Sequence, residues 1–213
     1  MSRKRLILFG GTFDPVHLGH TKVAFAAGEY IGAESIIFIP ARRSPLKGAM
    51  PRASDIDRLN MLYLAVSGEI KFEVSDYELN KPAPSYTLDT VRYFQTRYGA
   101  ENILYWLVGA DSIDDLVYWY GITELIDECE LAMMYRADFD KPDFTRFECF
   151  WGKERVDKLQ RNIIPTPLIN ISSTQVRKRI ASGKDVAQLL DNAVLSYINE
   201  HDLYSSGSEN QSN

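Results

Sequence analysis

The sequence predicts a single-domain α/β protein in which a parallel sheet is covered by helices on both faces. Three observations support this prediction. Short apolar runs alternate with amphipathic helical patterns, the first apolar run ends at two glycines, and the composition is that of a globular protein: 213 residues, 45% hydrophobic and 25% charged. Such a chain is long enough to bury a full core and short enough to form one domain.

Six runs rich in apolar or β-branched residues have the length of buried strands. They cover residues 5–9, 35–39, 71–74, 103–108, 130–134 and 168–171. Helical periodicity fills the intervals, over residues 18–31, 54–66, 87–98, 112–119, 174–181 and 186–200. Because strand and helix alternate, we expect a Rossmann-like, doubly wound sheet whose ligand lies beyond the carboxyl ends of the strands.

The domain is expected to span residues 1–204, since neither a linker nor an internal repeat interrupts the alternation. The small, polar segment 205–213 has no core-forming residue, which predicts a flexible tail. Residues 136–151, rich in Phe, Asp and Arg, are expected to depart from the regular alternation. Cys129 and Cys149 are far apart and have no clustered partner, which favours reduced, buried thiols over a disulfide or a metal site.

Charge and hydropathy argue against several classes of partner. A net charge of −5 and a pI near 5.3 disfavour a general nucleic-acid binder, which needs a broad basic surface. No run approaches the roughly 18 apolar residues of a membrane span, and the N-terminus does not resemble a signal peptide. We therefore expect a cytoplasmic protein without nucleic-acid or membrane partners, and the sequence leaves open whether it forms a homo-oligomer.

The segment GGTFDPVHLGH, residues 10–20, directly follows the first apolar run. Gly10 and Gly11 have no Cβ, so a phosphate can approach the backbone N–H groups closely. The proline biases the residue before it away from helix. The next helix should therefore begin near His17 or Leu18, with its positive dipole end facing the same space. The segment predicts an anion site.

His17 and His20 share a helix face through their i, i+3 spacing. Neither the dinucleotide pattern GxGxxG nor the P-loop pattern GxxxxGK[ST] is present, and a zinc site at these histidines would lack the HExxH context and a nearby cysteine. A tight turn with two incidental histidines is the structural alternative.

A second candidate anion site is ISSTQVR, residues 171–177. Its hydroxyls precede a helical pattern, and the guanidinium of Arg177 can donate two charge-assisted hydrogen bonds to an anion. By itself, Ser-Ser-Thr in this position is equally typical of a helix N-cap. The segment PARRSPLK, residues 40–47, is basic in an acidic protein, which suits an anionic substrate or a solvated charged loop.

These segments together resemble the nucleotidyltransferases that carry a (H/T)xGH motif, and most of all the bacterial nicotinate-nucleotide adenylyltransferases, over about residues 5–204. The resemblance implies that the triphosphate of ATP bends between the two motifs, with Mg²⁺ bound on ATP and no metal site built from protein ligands. It assigns the following residues to ATP: Gly10, Gly11, Thr12, Phe13, His17, Gly19, His20, Gly109, Asp111, Ile171, Ser172, Ser173, Thr174 and Arg177.

The resemblance also implies nicotinate mononucleotide as the second substrate. SYTLDT, residues 85–90, is similar to the family's SYTxxT segment, whose backbone meets the nicotinate carboxylate; Ser85 or Thr87 could equally be a helix N-cap. The Trp119–Tyr120 pair resembles the aromatics that cover the pyridine ring, although Trp119 could equally be a core residue. The residues assigned to the mononucleotide are Asp14, Arg43, Lys47, Ser85, Tyr86, Thr87, Trp119, Tyr120 and Arg136.

The chain departs from the family pattern at two positions. Leu46 stands where the family often has a histidine, so Lys47 or Arg43 is expected to substitute for it. A proline common near Asp191 is missing, which predicts a difference in packing and little effect on chemistry.

The implied reaction is attack by the 5′-phosphate of nicotinate mononucleotide on the α-phosphorus of ATP, in NAD biosynthesis. Because the nucleophile is already anionic, catalysis requires alignment and charge neutralisation, which His17, His20, Lys47, Arg177 and Mg²⁺ would share. The alternatives are a relative that acts on nicotinamide mononucleotide, on pantetheine phosphate or as a cytidylyltransferase, and a non-catalytic nucleotide-binding module.

Overall fold

Six parallel strands form one sheet. They are β1 (Arg5–Gly11), β2 (Ser35–Pro40), β3 (Phe72–Val74), β4 (Ile103–Val108), β5 (Glu130–Arg136) and β6 (Ile163–Thr166). Their order is β3-β2-β1-β4-β5-β6, and every neighbouring pair is parallel. The order reverses between β1 and β4, which opens a crevice at the carboxyl ends of these two strands. The predicted fold class is confirmed.

The computed structural model describes residues 3–43, 45, 50–109, 112–136, 142–167 and 169–206. Within these ranges the helices are α1 (Leu18–Ile31), α2 (Asp55–Val66), α3 (Thr87–Tyr98), α4 (Ile122–Glu128), α5 (Glu148–Trp151), α6 (Lys153–Arg161), α7 (Ser173–Ala181) and α8 (Asn192–Glu200). Short 3-10 helices cover Asp114–Tyr118 and Thr145–Phe147. None of the helices in these ranges is long and apolar enough to cross a membrane.

Side chains of the sheet are buried on both faces. Along β1, Ile7 and Phe9 pack into one core with α1, α2 and α8, whereas Leu6 and Leu8 pack into a second core with α3, α4 and α6. This double burial explains why the strands read as continuous apolar runs instead of alternating patterns.

The last strand was predicted in the wrong place. The strand is Ile163–Thr166, and residues 169–172 have no regular secondary structure. Pro165 lies within this strand. Proline has no N–H to donate to the hydrogen bonds of a sheet, so its presence in the sequence argues against a strand. The strand tolerates it because β6 is the edge of the sheet and has a neighbour on one side alone. The segment read as a strand is instead a loop that reaches the functional cleft.

Two predicted helices are shorter than expected. The helix predicted over 186–200 begins at Asn192, because Asp191 caps it by accepting a hydrogen bond from the N–H of Ala193 at 2.8 Å. The helix predicted over 112–119 is a 3-10 turn. Sequence patterns missed α4 and α6, and within the predicted excursion residues 145–151 are helical. Cys129 is buried as predicted, whereas Cys149 is exposed.

Candidate active site

A cleft of about 1050 Å³ opens beyond the carboxyl ends of β1 and β4, where the strand order reverses. Every residue that the sequence assigns to ATP and that the structure describes lines this cleft. These residues are Gly10, Gly11, Thr12, Phe13, His17, Gly19, His20, Gly109, Ile171, Ser172, Ser173, Thr174 and Arg177. Asp111 lies outside the described residues. Two segments that are far apart in the chain therefore form one concave surface.

The glycines of the first motif make room for side chains of the protein itself. A Cβ on Gly10 would overlap the indole of Trp106, and a Cβ on Gly11 would lie 2.9 Å from Cζ of Phe13. We expected the space beside these two glycines to admit a ligand. That expectation was wrong, because side chains of the protein fill it. Both glycines still line the cleft, so the backbone remains the surface that a ligand meets.

The two histidines of the motif are stacked. Their ring centroids are 3.7 Å apart with an interplanar angle of 22°, and the N–H of His17 donates to Nδ1 of His20 at 3.2 Å. This hydrogen bond places the proton of a neutral His20 on Nε2. A Cβ on Gly19 would lie 2.9 Å from Cε1 of His17, so the glycine of the motif makes room for the His17 ring.

His17 is neutral at physiological pH. Burial lowers its pKa from 6.5 to about 4, and only 6% of the residue is exposed. The stacking agrees with this protonation state, because two imidazolium rings in contact would repel each other. Toward an anion, His17 can therefore act as an N–H donor and not as a cation, which refines the charge-neutralising role expected from the sequence.

The second motif is bonded directly to the Asp14–Pro15 segment of the first motif. The hydroxyl of Ser173 donates to the carbonyl of Pro15 at 2.9 Å, across 158 residues of sequence. Nη1 of Arg177 donates to the carbonyl of Asp14 at 2.6 Å, and its Nη2 donates to Oγ1 of Thr174 at 3.2 Å. These contacts hold the first turn of α7 beside the first turn of α1.

The hydroxyls of ISST differ in what they can offer an anion. Ser172 is the N-cap of α7 and accepts from the N–H of Gln175, so the capping alternative is correct for this residue. Ser173 gives its proton to Pro15. Ser172 and Thr174 act as acceptors in these bonds, so each keeps a hydroxyl proton that can be donated to a phosphate oxygen.

Asp14 is buried at the rim of the cleft and its carboxylate bonds to the protein. Oδ2 accepts from the N–H of Arg52 at 2.8 Å, and Oδ1 accepts from the N–H of Ala53 at 3.0 Å and from the hydroxyl of Tyr204 at 2.8 Å. The sequence assigned Asp14 to the mononucleotide. Its geometry is that of a residue that fixes three chain segments to one another.

Sequence reasoning missed a second buried anchor, Arg58. Its Nη1 donates to the carbonyls of Thr12 at 2.7 Å and Ala41 at 2.8 Å, and its Nη2 pairs with Asp55 at 2.6 Å. The guanidinium thus joins the glycine turn to the start of the basic segment. A buried arginine in a helix carries no local signal of such a role, because both acceptors are backbone atoms distant in sequence.

Part of the predicted mononucleotide set forms a separate cluster. The N–H of Ser85 donates to the carbonyl of Arg43 at 3.1 Å, and the rings of Tyr86 and Tyr120 lie 4.7 Å apart. The N-cap of α3 is Tyr86, with no side-chain capping bond, so neither Ser85 nor Thr87 caps this helix.

Among the described residues, two further members of the predicted mononucleotide set, Thr87 and Trp119, are absent from the cleft lining, whereas Asp14 belongs to it. Trp119 is partly buried against the second core, and its Nε1 has no hydrogen-bond partner among the described residues. Lys47 and Leu46 lie outside the described residues. Arg136 ends β5, and its side chain is outside the described part of the structure.

The cleft also contains residues that sequence reasoning did not select. Thr166 ends β6 and donates its hydroxyl proton to the carbonyl of Tyr135 at 3.0 Å, and both residues line the cleft. Pro167 and Ile169 follow on the loop that was mistaken for a strand. The signal that could have identified Thr166 is its position at the carboxyl end of a strand, which the misplaced β6 concealed.

The family model described as Cytidylyltransferase-like matches residues 8–179, a span that includes both motifs. A protein of Clostridium tetani is 34% identical over 204 residues, which cover 94% of this chain and 99% of that protein. Proteins of Methylacidiphilum infernorum and Pseudomonas fluorescens are each 36% identical, over 94% of this chain and 92% and 97% of their own lengths. All three bear the name "probable nicotinate-nucleotide adenylyltransferase".

Two solved structures of a Plasmodium falciparum nicotinic acid mononucleotide adenylyltransferase have the same fold. The one complexed with NaAD gives a TM-score of 0.74 at 19% identity, and the one complexed with APC gives 0.68 at 20% identity. Each comparison covers 95% of this chain and 98% of the other. At these identities the likeness establishes the architecture, and the chemistry has to be argued from the site.

Proposed function

Because the chain belongs to the nicotinate-nucleotide adenylyltransferase family, we propose that it transfers AMP from ATP to nicotinate mononucleotide, forming nicotinate adenine dinucleotide and pyrophosphate. The main structural support is the meeting of the two motifs in one cleft. Ser173 bonds to Pro15 and Arg177 bonds to Asp14, so residues from both motifs line the same surface.

The reaction requires no nucleophile from the protein. An oxygen of the 5′-phosphate of nicotinate mononucleotide forms a bond to the α-phosphorus of ATP, and the bond from that phosphorus to the bridging oxygen of the β-phosphate breaks. Pyrophosphate leaves with the electron pair. The protein must bring two anions together in line and stabilise the charge that develops on the leaving group.

The cleft supplies groups suited to this task. Arg177 carries a permanent positive charge, and His17 and His20 supply ring N–H donors beside the start of α1, where the helix dipole is positive. Backbone N–H groups in the first turn of α1 can point at a nearby phosphate. Because burial lowers the pKa of His17 to about 4, it can act on the leaving group as a neutral hydrogen-bond donor.

Mg²⁺ is part of the proposal as a companion of ATP. In the described residues, no three His, Cys, Asp or Glu side chains are grouped closely enough to hold a metal ion. The described cleft instead presents hydroxyls, imidazoles and backbone amides near Arg177, a donor set suited to phosphate oxygens. Bound with ATP, Mg²⁺ would supply charge neutralisation on the triphosphate.

A pyrophosphate-release assay with Mg²⁺ and ATP tests this function. Nicotinate mononucleotide, nicotinamide mononucleotide and pantetheine phosphate are supplied in turn at equal concentration, and the dinucleotide product is identified by mass. We expect the highest kcat/KM with nicotinate mononucleotide. A preference for either other acceptor would replace the proposed substrate, and the absence of turnover with all three would indicate a nucleotide-binding module without catalysis.

A further inference from the structure

Tyr204 follows α8 near the end of the described part of the chain, and its side chain packs back against the first motif. Its side chain is buried, and its hydroxyl donates to Oδ1 of Asp14 at 2.8 Å across 190 residues of sequence. Burial and the neighbouring Asp14 carboxylate raise the pKa of Tyr204 well above its ordinary value, so the phenol keeps the proton that it donates. A tyrosine hydroxyl therefore occupies one acceptor site of a carboxylate that borders the proposed ATP site.

Both ends of this contact have unusual backbone conformations. Tyr204 has a φ of 64°, and Phe13, the neighbour of Asp14, has a φ of 48°. Residues other than glycine rarely adopt the left-handed region, and they persist there when the surrounding structure holds them. The strain at both ends indicates that this contact is specified and is not an incidental result of packing.

Asp14 in turn holds Arg177. Nη1 of Arg177 donates to the backbone carbonyl of Asp14 at 2.6 Å and lies 3.7 Å from Oδ2 of its carboxylate. The carboxylate is thus bonded by Tyr204 on one side and paired with the guanidinium on the other. A displacement of Asp14 would displace Arg177, which lines the cleft.

We propose that Tyr204 is a positioning residue for adenylyl transfer: its hydroxyl fixes Asp14, and Asp14 fixes the guanidinium of Arg177 toward the triphosphate of ATP. The inference rests on the proposed function for the identity of the ligand, whereas the three-residue arrangement is a property of the fold. Tyr204 contacts neither substrate in this account and acts only through Arg177.

Tyr204→Phe isolates the hydroxyl, because the ring continues to fill its buried site. Removing the donor takes away one of the two hydrogen bonds to Oδ1 and leaves that oxygen with the N–H of Ala53 alone, so Asp14 is held less firmly and Arg177 is less well oriented. We expect the affinity for a non-hydrolysable ATP analogue with Mg²⁺, measured by calorimetry, to weaken about 5- to 20-fold. With nicotinate mononucleotide as acceptor, kcat should fall by a similar factor while the KM of the mononucleotide stays within about twofold.

A double-mutant cycle separates positioning from general destabilisation. In an Arg177→Ala background, Tyr204→Phe should change the affinity for the ATP analogue by less than about twofold, because its effect passes through Arg177. If the two substitutions instead weaken affinity independently, so that their fold-changes multiply, the proposal is overturned.

Tyr197→Phe is the matched control. Tyr197 also donates its hydroxyl proton to a carboxylate, Oδ1 of Asp57, at 2.9 Å from α8 to α2, away from the cleft lining. This variant should lower the melting temperature without changing the affinity for the ATP analogue. An equal loss of affinity in both tyrosine variants would indicate a stability effect and contradict the proposal.

Two further outcomes are distinguishable. If Tyr204→Phe does not fold, Asp14→Asn replaces it in the double-mutant cycle, because Asp14 accepts the hydrogen bond of Tyr204. If Asp14→Asn and Arg177→Ala then weaken the affinity for the ATP analogue independently, the proposal is overturned. If the wild-type protein binds the ATP analogue but releases no pyrophosphate with nicotinate mononucleotide, the proposed function fails while the binding cycle still tests the role of Tyr204.

Discussion

The two ends of the proposed active site are built differently. The ATP end joins residues 10–20 to residues 171–177 through hydrogen bonds between the chain segments themselves, and every described residue that the sequence assigns to ATP lines one cleft. The proposed mononucleotide end is distributed: Arg43 and Ser85 are bonded, and Tyr86 and Tyr120 are in contact, but none of these four lines that cleft.

The difference reflects what each end must recognise. A triphosphate can be held by backbone amides, a helix terminus and a guanidinium, which a fixed turn presents in advance. A pyridine ring requires an aromatic surface, and here the aromatic side chains come from separate segments around α3 and the 3-10 turn before α4. Substitutions at the ATP end should therefore change turnover, whereas those at the mononucleotide end should change substrate affinity.

The largest effect is expected for His17→Ala. Loss of a preorganised donor to the developing charge should lower kcat about 10²- to 10³-fold, while the KM of nicotinate mononucleotide changes by less than about threefold. Steady-state pyrophosphate release gives both constants. His201→Ala is the control, because His201 is exposed and stacks on Tyr197 in α8. Near-normal turnover of the His17 variant would remove this residue from the reaction.

Stability should also depend on pH through His17. Its pKa is lowered from 6.5 to about 4 in the folded protein, so the unfolded chain binds more protons between these values. The free energy of unfolding therefore keeps the full contribution of His17 above pH 6.5. That contribution falls as the pH is lowered from 6.5 toward 4, by about 3 kcal/mol in total. Urea unfolding of the wild type and of His17→Gln measures it. If the free energy of unfolding depends on pH with the same slope in both proteins, the lowered pKa of His17 is contradicted.

Gly10→Ala tests the packing beneath the glycine turn. The added methyl overlaps the indole of Trp106, which should destabilise the protein by about 1–3 kcal/mol and lower its melting temperature by several degrees. Trp106→Phe removes the overlapping ring atoms and should restore part of the loss. Gly68→Ala is the control, since no atom lies within 4 Å of its added Cβ. Equal melting temperatures of the two alanine variants would refute the packing explanation.

Trp119→Ala should have the smallest effect of the four, confined to the other end of the site. We expect the KM of nicotinate mononucleotide to rise about 5- to 20-fold through loss of stacking area, with kcat changed by less than about threefold. Tyr118→Ala is the matched control, because Tyr118 is an adjacent aromatic that is 73% exposed. If the mononucleotide KM does not change, Trp119 is a core residue and has no place in the pyridine site.

Regular elements could be predicted where local periodicity is strong. The bounds of α1, α3 and β4 agree with prediction because each has an uninterrupted pattern, whereas β6 was misplaced because Pro165 obscured an edge strand. The alternation of strands and helices predicts a parallel sheet, but it does not predict the strand order, because more than one right-handed arrangement is compatible with it.

The candidate site could be predicted only as far as its motifs. Residues 10–20 and 171–177 are recognisable because their residue types carry phosphate chemistry. The anchors Arg58 and Tyr204 carry no such signal, since their roles depend on contacts with residues 46 and 190 positions away. Asp14 was selected by its place in a motif, but its structural partners could not be known before the chain was folded.

The central claim is that residues 10–20 and 171–177 form a single site for the triphosphate of ATP. A crystal structure with a non-hydrolysable ATP analogue and Mg²⁺ tests it most directly. We predict phosphate oxygens within hydrogen-bonding distance of Gly10 or Gly11, of His20 and of Thr174 in the same complex. An analogue bound to one motif alone, or held by Lys178 and Lys184 without contact to residues 10–20, in the depression that shares Ser172 and Thr174 with the cleft, would contradict the claim.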